Sequence, residues 1–255
     1  MDVQREVMMS VAQFEDSLYK IAREDNKKIT QQSLLPIEKH FYGKVDALMI
    51  QLQNIFLEWH RVSEKCTVVS LSDEATLSVW KSHASSVRVH EAAWRLLSLA
   101  QGAYANANRL GAALDIPAQA WLHIQAVACL AHAYGFSIKS PLESFYAIRL
   151  MYIGYLPKQD QWREWSVLLD ELREHEKGQL LYRAEKEISR REITSALCLQ
   201  LLKIGLCMRG KRTRWVAVSV GGVINYQYAR NVIALAKAFY QKRWLMRQKN
   251  MQVTG

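Results

Sequence analysis

Apolar residues recur along this chain at steps of three and four. Val7, Val11, Phe14, Leu18 and Ile21 do so near the start, and Phe41, Val45, Leu48, Leu52, Ile55, Trp59 and Val62 do so over a longer stretch. This spacing gathers one stripe on one side of a helix and suits it to packing against another helix. Residues 1–70 are therefore predicted to form a helical hairpin. Pro36 stands near the start of its second helix, where a missing N–H costs little. Residues 66–72 read as a short strand or a loop. Ser72 then reads as the N-cap of a helix carrying Leu77, Trp80, Ala84, Val87, Trp94 and Leu97.

Beyond that helix small residues dominate the run AQGAYANANRLGAA, and the step Asp115-Ile116-Pro117 punctuates the chain. Pro117 disfavours helical geometry at Ile116, and Asp115 is placed to cap a helix predicted over 118–134. Gly135 is a natural terminator for it. Ser140-Pro141-Leu142-Glu143 is a second start signal: Ser140 as N-cap, Pro141 in the first turn, and Glu143 reaching back in a capping box. That helix should end at about Tyr155. Helical periodicity then returns from Gln159 to about Met208, with a break near Lys177-Gly178 and a solvated charged face over Glu171–Arg191.

Composition agrees with helices. Four prolines and 11 glycines in 255 residues leave few tight turns, too few for an all-β sandwich or barrel. The predicted fold class is all-α: a multi-helix bundle of long amphipathic helices and short loops, with residues 71–255 forming a second helical region after the hairpin. The stretch 116–138 lacks Lys, Arg, Asp and Glu and is long enough to span a bilayer. It contains Gln119, His123, Gln125 and His132 on different sides of the helix, so it reads as a buried helix of a water-soluble bundle. The N-terminus has no uninterrupted apolar core and does not read as a secretory signal, which points to the cytoplasm.

Few residues suggest chemistry. The seven histidines make no HExxH or other tight ligand spacing, and the chain has no phosphate-binding glycine loop and no GxSxG. Cys66, Cys129, Cys198 and Cys207 are far apart and read as reduced buried thiols. No metal, no cofactor and no catalytic residue is expected.

Charge is more informative. Glu192 is the last acidic residue, and the 63 residues after it hold 11 Lys or Arg. The net charge of +10 therefore comes wholly from this region, and a single-sign segment of that length implies an anionic partner. Within the basic segment 203–249, Arg209, Lys211, Arg212, Arg214 and Trp215 form a cluster, expected to be followed by a small-residue turn and a helix from about Asn225. Arg230, Lys237 and Gln241 fall on one side of that helix, opposite Val232, Leu235, Phe239 and Met246. Lys242, Arg243 and Arg247 add charge, and Tyr226, Tyr228, Tyr240 and Trp244 add rings with polar tips, the kind favoured at a lipid–water boundary. Residues 209–249 are thus expected to dock peripherally on anionic phospholipid, on the inner face of the cell membrane. Nucleic acid bound by the same basic segment is one alternative. An enzyme with a site among Asp115, the histidines and Arg243 is another.

Two stretches, LGAALDIPAQAWLHIQAVACLAHAYGFSIKSPLESFYAIRLMY at 110–152 and VGGVINYQYARNVIALAKAFYQKRWL at 220–245, resemble the EcsC family. The resemblance rests on the Asp115–Pro117 step, the Ala-Tyr134-Gly135 end, the Ser140–Glu143 start, Asn225, and the closing Ala-x-x-Tyr240-x-x-Arg243. The first 70 residues contribute nothing to it. It implies a bacterial, helical, membrane-associated protein without an established activity, from a family named for an operon that encodes an ABC transporter; assistance to a membrane transporter or a lipid-handling system is the expectation. The resemblance singles out Asp115, Asn225, Tyr240 and Arg243 as polar positions, which a cap, a turn amide and a Tyr–Arg stack would also explain.

Overall fold

The computed structural model describes residues 3–25, 70–71, 77–107, 111–137, 140–176, 193 and 214–254, and among them there are helices and no strand. In chain order the helices are α1 (Val3–Asp25), α2 (Leu77–Ala107), α3 (Gly111–Ala133), α4 (Pro141–Tyr155), α5 (Lys158–Glu176) and α6 (Arg214–Thr254). They pack as an all-α bundle. The predicted second helix of the hairpin, the Ser72 cap, the Lys177-Gly178 break and the cluster at 209–212 lie outside the described residues.

The 4-3 stripe of the N-terminal segment does what its spacing predicts. Val7, Val11 and Leu18 of α1 are buried, and Phe14 meets Trp165 of α5 edge-on with ring centroids 5.4 Å apart. α1 lies against both α5 and α6. Its polar contacts reinforce this: Ser10 donates to Gln241 on α6, and Glu15 accepts from both Trp165 and Lys242.

Two local signals are realised as the sequence reads them. α3 ends in a Schellman motif, with Gly135 at φ 78°, its N–H on the His132 carbonyl, and the Phe136 N–H on Ala131. Ser140 caps α4, accepting from the Leu142 N–H, with Pro141 in the first turn. Glu143, however, does not reach back to its cap. The Ser140 N–H goes to the Ser137 carbonyl, and the Glu143 carboxylate crosses to α6.

Two punctuation marks are overturned. Pro117 lies inside α3, which begins at Gly111, so Asp115 is a helical residue and not its cap. The proline forfeits a single backbone bond near the amino end. The complete burial of Ala120, Ile124, Val127, Ala128 and Ala131 downstream outweighs that loss. Likewise no turn separates Arg214 from Asn225: α6 is one helix of 41 residues, ~60 Å long, running through Gly221-Gly222.

Those glycines serve a helix crossing. α2 and α6 run antiparallel: Gly102 faces Asn225, Glu91 meets Lys237, and Trp80 stacks on Trp244. A Cβ built on Gly102 would stand 2.5 Å from Asn225 Nδ2 and 2.7 Å from the Gly221 carbonyl oxygen. One built on Gly222 would stand 3.0 Å from the Leu99 carbonyl oxygen. The backbones approach because neither helix has a side chain there. α3 and α4 close the other sides of α6, and Gly154 of α4 lets Val232 come in to 2.5 Å from where its Cβ would be.

Stretch 116–138 reads as a buried helix, and α3 is packed against α2, α4 and α6. No helix among the described residues is long and apolar enough to cross a membrane.

Gly102→Ala tests the crossing. Alanine should gain about 1 kcal/mol of helix propensity on an exposed helix. Here overpacking against the Gly221 backbone, at about 1–3 kcal/mol, should win. Urea unfolding should give a net loss of stability.

Candidate functional site

Most of the candidate residues that the structure describes lie on α6, and three of the cations there have partners that the local sequence does not contain. Three helices each bring one carboxylate to it. Glu91 of α2 lies 2.9 Å from Lys237, Glu15 of α1 pairs with Lys242, and Glu143 of α4 lies 2.6 Å from Arg243.

The last pair is the most enclosed. Arg243 and Glu143 side chains are 6% and 5% exposed. The guanidinium carbon sits 4.1 Å from the Phe136 ring centroid and 5.0 Å from that of Tyr146, with Phe239 and Tyr240 slightly farther away. Ring faces carry negative potential, so this cage holds a cation that has lost its water. Phe136 is delivered by the Schellman turn and Glu143 by the first turn of α4. The pair thereby ties the α3–α4 corner to α6. Arg247, one turn on, also lies over the Phe136 ring at 4.4 Å and donates to the Gly135 carbonyl. Tyr240 is wholly buried. Its hydroxyl is pushed well above its ordinary pKa, first by loss of solvent and then by the charge of Glu143, against the opposing pull of Arg243.

Asn225 lies elsewhere, buried in the α2–α6 crossing, where its amide donates to Gln101 at 3.0 Å. It is a link between two helices and not a turn amide. Asp115 is a backbone member of the first turns of α3. Of the other candidate residues, Trp244 is buried and stacked on Trp80, and Lys237 and Lys242 are engaged as above. Arg230 is exposed. Arg214 and Trp215 begin α6, while Arg209, Lys211 and Arg212 are outside the described residues. Buried Arg243 and Trp244 do not face solvent, so contact with a bilayer would need other residues.

Two buried histidines have fixed roles. His83 Nε2 donates to the Ala133 carbonyl, which also accepts from Leu71 N–H, so two donors satisfy the carboxyl end of α3. Burial lowers the His83 pKa, partly offset by that bond. His123 Nδ1 lies 2.7 Å from the Tyr155 hydroxyl, and burial brings its pKa down to about 3. The neutral imidazole therefore accepts from Tyr155, whose ring packs on Tyr228 with centroids 4.8 Å apart. The sequence marks His123 as a polar residue in an apolar stretch but gives no sign of Tyr155, 32 residues on. Among the described residues no group of three or more His, Cys, Asp or Glu is arranged to hold a metal ion. Cys129 is disulfide-bonded, which corrects the expectation of a reduced thiol there; Cys66, Cys198 and Cys207 lie outside the described residues.

Two outcomes follow. Arg243→Met strands the Glu143 carboxylate and should cost about 3–5 kcal/mol in urea unfolding. The double variant Arg243→Met/Glu143→Leu should recover much of that loss. His123 supplies a pH dependence: its folded pKa of about 3 is below the unfolded 6.5, so protons bind the unfolded chain more tightly. Its contribution is complete above pH 6.5 and is lost as pH falls toward 3. Between pH 7.5 and 5.0 the wild type should lose about 2 kcal/mol more stability than His123→Gln.

No curated protein and no solved structure matches this chain. The model of the EcsC protein family does, over residues 10–245. The match includes most of α1 and so extends well beyond the two stretches at 110–152 and 220–245 that carry the resemblance in the sequence. A match over so much of its length makes the chain a member of the EcsC protein family.

Proposed function

We propose that this protein binds peripherally to anionic phospholipid surfaces, there assisting a membrane transporter or a lipid-handling system. One observation carries the reading. The antiparallel pair α2 and α6 holds ten Lys or Arg and a single carboxylate, Glu91. Carboxylates from α1 and α4 neutralise Lys242 and Arg243, and Glu91 engages Lys237 and Arg95. Lys81, Arg88, Arg230 and Lys249 remain exposed. Each cation close to an anionic leaflet contributes about 1 kcal/mol, so a few support weak, reversible attachment. The buried charges support the same view: Arg243 and Glu143 neutralise each other inside a cage of rings, which suits them to holding helices together and not to proton transfer with a substrate.

Co-sedimentation with vesicles tests the reading. The full chain should bind vesicles containing phosphatidylserine at low salt and release them at high salt, with little binding to neutral phosphatidylcholine. Changing Arg209, Lys211, Arg212 and Arg214 together to Ser should weaken the binding. Absence of binding to either vesicle would overturn the proposal. Retention on heparin with a steep salt dependence would then favour nucleic acid.

A further inference from the structure

We infer that the outward face of α2 is the surface that meets the lipid; this rests on the peripheral-membrane reading and gives it a location. From Val87 onward α2 is apolar on two sides. Inward, Val87 is buried and Trp94 packs on the core. Outward, Val89, Leu96, Leu97 and Tyr104 are 66%, 62%, 50% and 73% exposed. At 3.6 residues per turn these four share one side of the helix, with alanines between them. From Val89 to Tyr104 the face is ~22 Å long. A contiguous apolar face of this kind on a helix whose other side is already packed marks a surface for a second apolar environment.

Charge selects that environment. Lys81 and Arg88 are exposed on one flank of this face, at its amino-terminal end. The helix has one acid, Glu91, and it is turned inward, where it pairs with Lys237 of α6 and Arg95. The outward side of α2 thus offers hydrocarbon bordered by cations, with no carboxylate. An anionic bilayer complements both parts at once: acyl chains receive Val and Leu, and phosphates receive the ammonium and guanidinium groups at the rim. A second copy of this face would bring no counter-charge to Lys81 and Arg88.

The test uses the full chain and phosphatidylserine-containing vesicles. L96E/L97E places two carboxylates on the face, and V89S/L96S removes apolar area without adding charge. Both should keep the wild-type circular dichroism and melting temperature. L96E/L97E should lower the vesicle partition coefficient at least ten-fold, and V89S/L96S should lower it by less. Wild-type binding that both variants retain in full would overturn the location while leaving the membrane reading intact. No binding by the wild type would overturn the membrane reading itself. If L96E/L97E unfolds and V89S/L96S also loses stability, the face is covered by another part of the chain and the inference fails. It fails equally if gel filtration shows a wild-type dimer that L96E/L97E dissolves, since the occupant is then a second copy.

Discussion

Seven cations and no carboxylate lie on α6, and such a helix can enter a core only if other elements supply its counter-charges. Glu15, Glu91 and Glu143 do so from three different helices, all within the stretch from Lys237 to Arg243 of one long rod. An isolated buried charge costs several kcal/mol, so each pairing constrains where its helix can dock. Glu143 is the strictest case, because it sits in the first turn of α4 and is nearly out of reach of water. The corner between α3 and α4 has to place both Phe136 and Glu143 around Arg243. The Schellman turn at Gly135 and the Ser140 cap set that corner. Local backbone chemistry and long-range electrostatics therefore meet at one guanidinium.

Helix packing imposes a second constraint, independent of charge. The α2–α6 crossing depends on the missing side chains of Gly102 and Gly222, which let the Gly221 and Leu99 carbonyls come close, and Asn225 joins Gln101 beside them. Trp80 and Trp244 fill the far end of the same interface, where the helices have room for rings. Small residues at one end and large ones at the other let two long helices keep contact over most of the length of α2.

How much of this could be read from the sequence follows from the range of each signal. The stripe on α1, the Gly135 terminator and the Ser140-Pro141 start are written within a few residues, and all three are realised. The misreadings arise where a residue type serves two purposes. Gly221-Gly222 has the composition of a turn, but it is the approach site of another helix. Pro117 and Asp115 look like a boundary, yet burial of the following face carries the helix through them. Glu143 fits a capping box, but its carboxylate gains more from a buried guanidinium 100 residues away. The absence of acids after Glu192 was legible as an anomaly. That part of its answer lies in Glu15, Glu91 and Glu143 was not, because pairings at such separations are properties of the fold. The family match beginning at residue 10 follows the same logic, since α1 belongs against α5 and α6 in this bundle.

The two sides of α2 bear on how such a protein could use a membrane. An amphipathic segment that folds only on reaching lipid spends part of its binding free energy on ordering its own backbone. α2 is ordered beforehand by α6 and α3, so its outward side chains are held in place while still in water. The cost moves to the unbound state, which must keep exposed leucine and valine soluble. A strong net positive charge helps there, because like-charged copies repel one another. The same excess that keeps the free protein apart would draw it to an anionic surface, where repulsion between copies is screened by the lipid. The three carboxylates match cations inside the bundle, and Lys81, Arg88, Arg230 and Lys249 are left exposed on α2 and α6, where they can act on both.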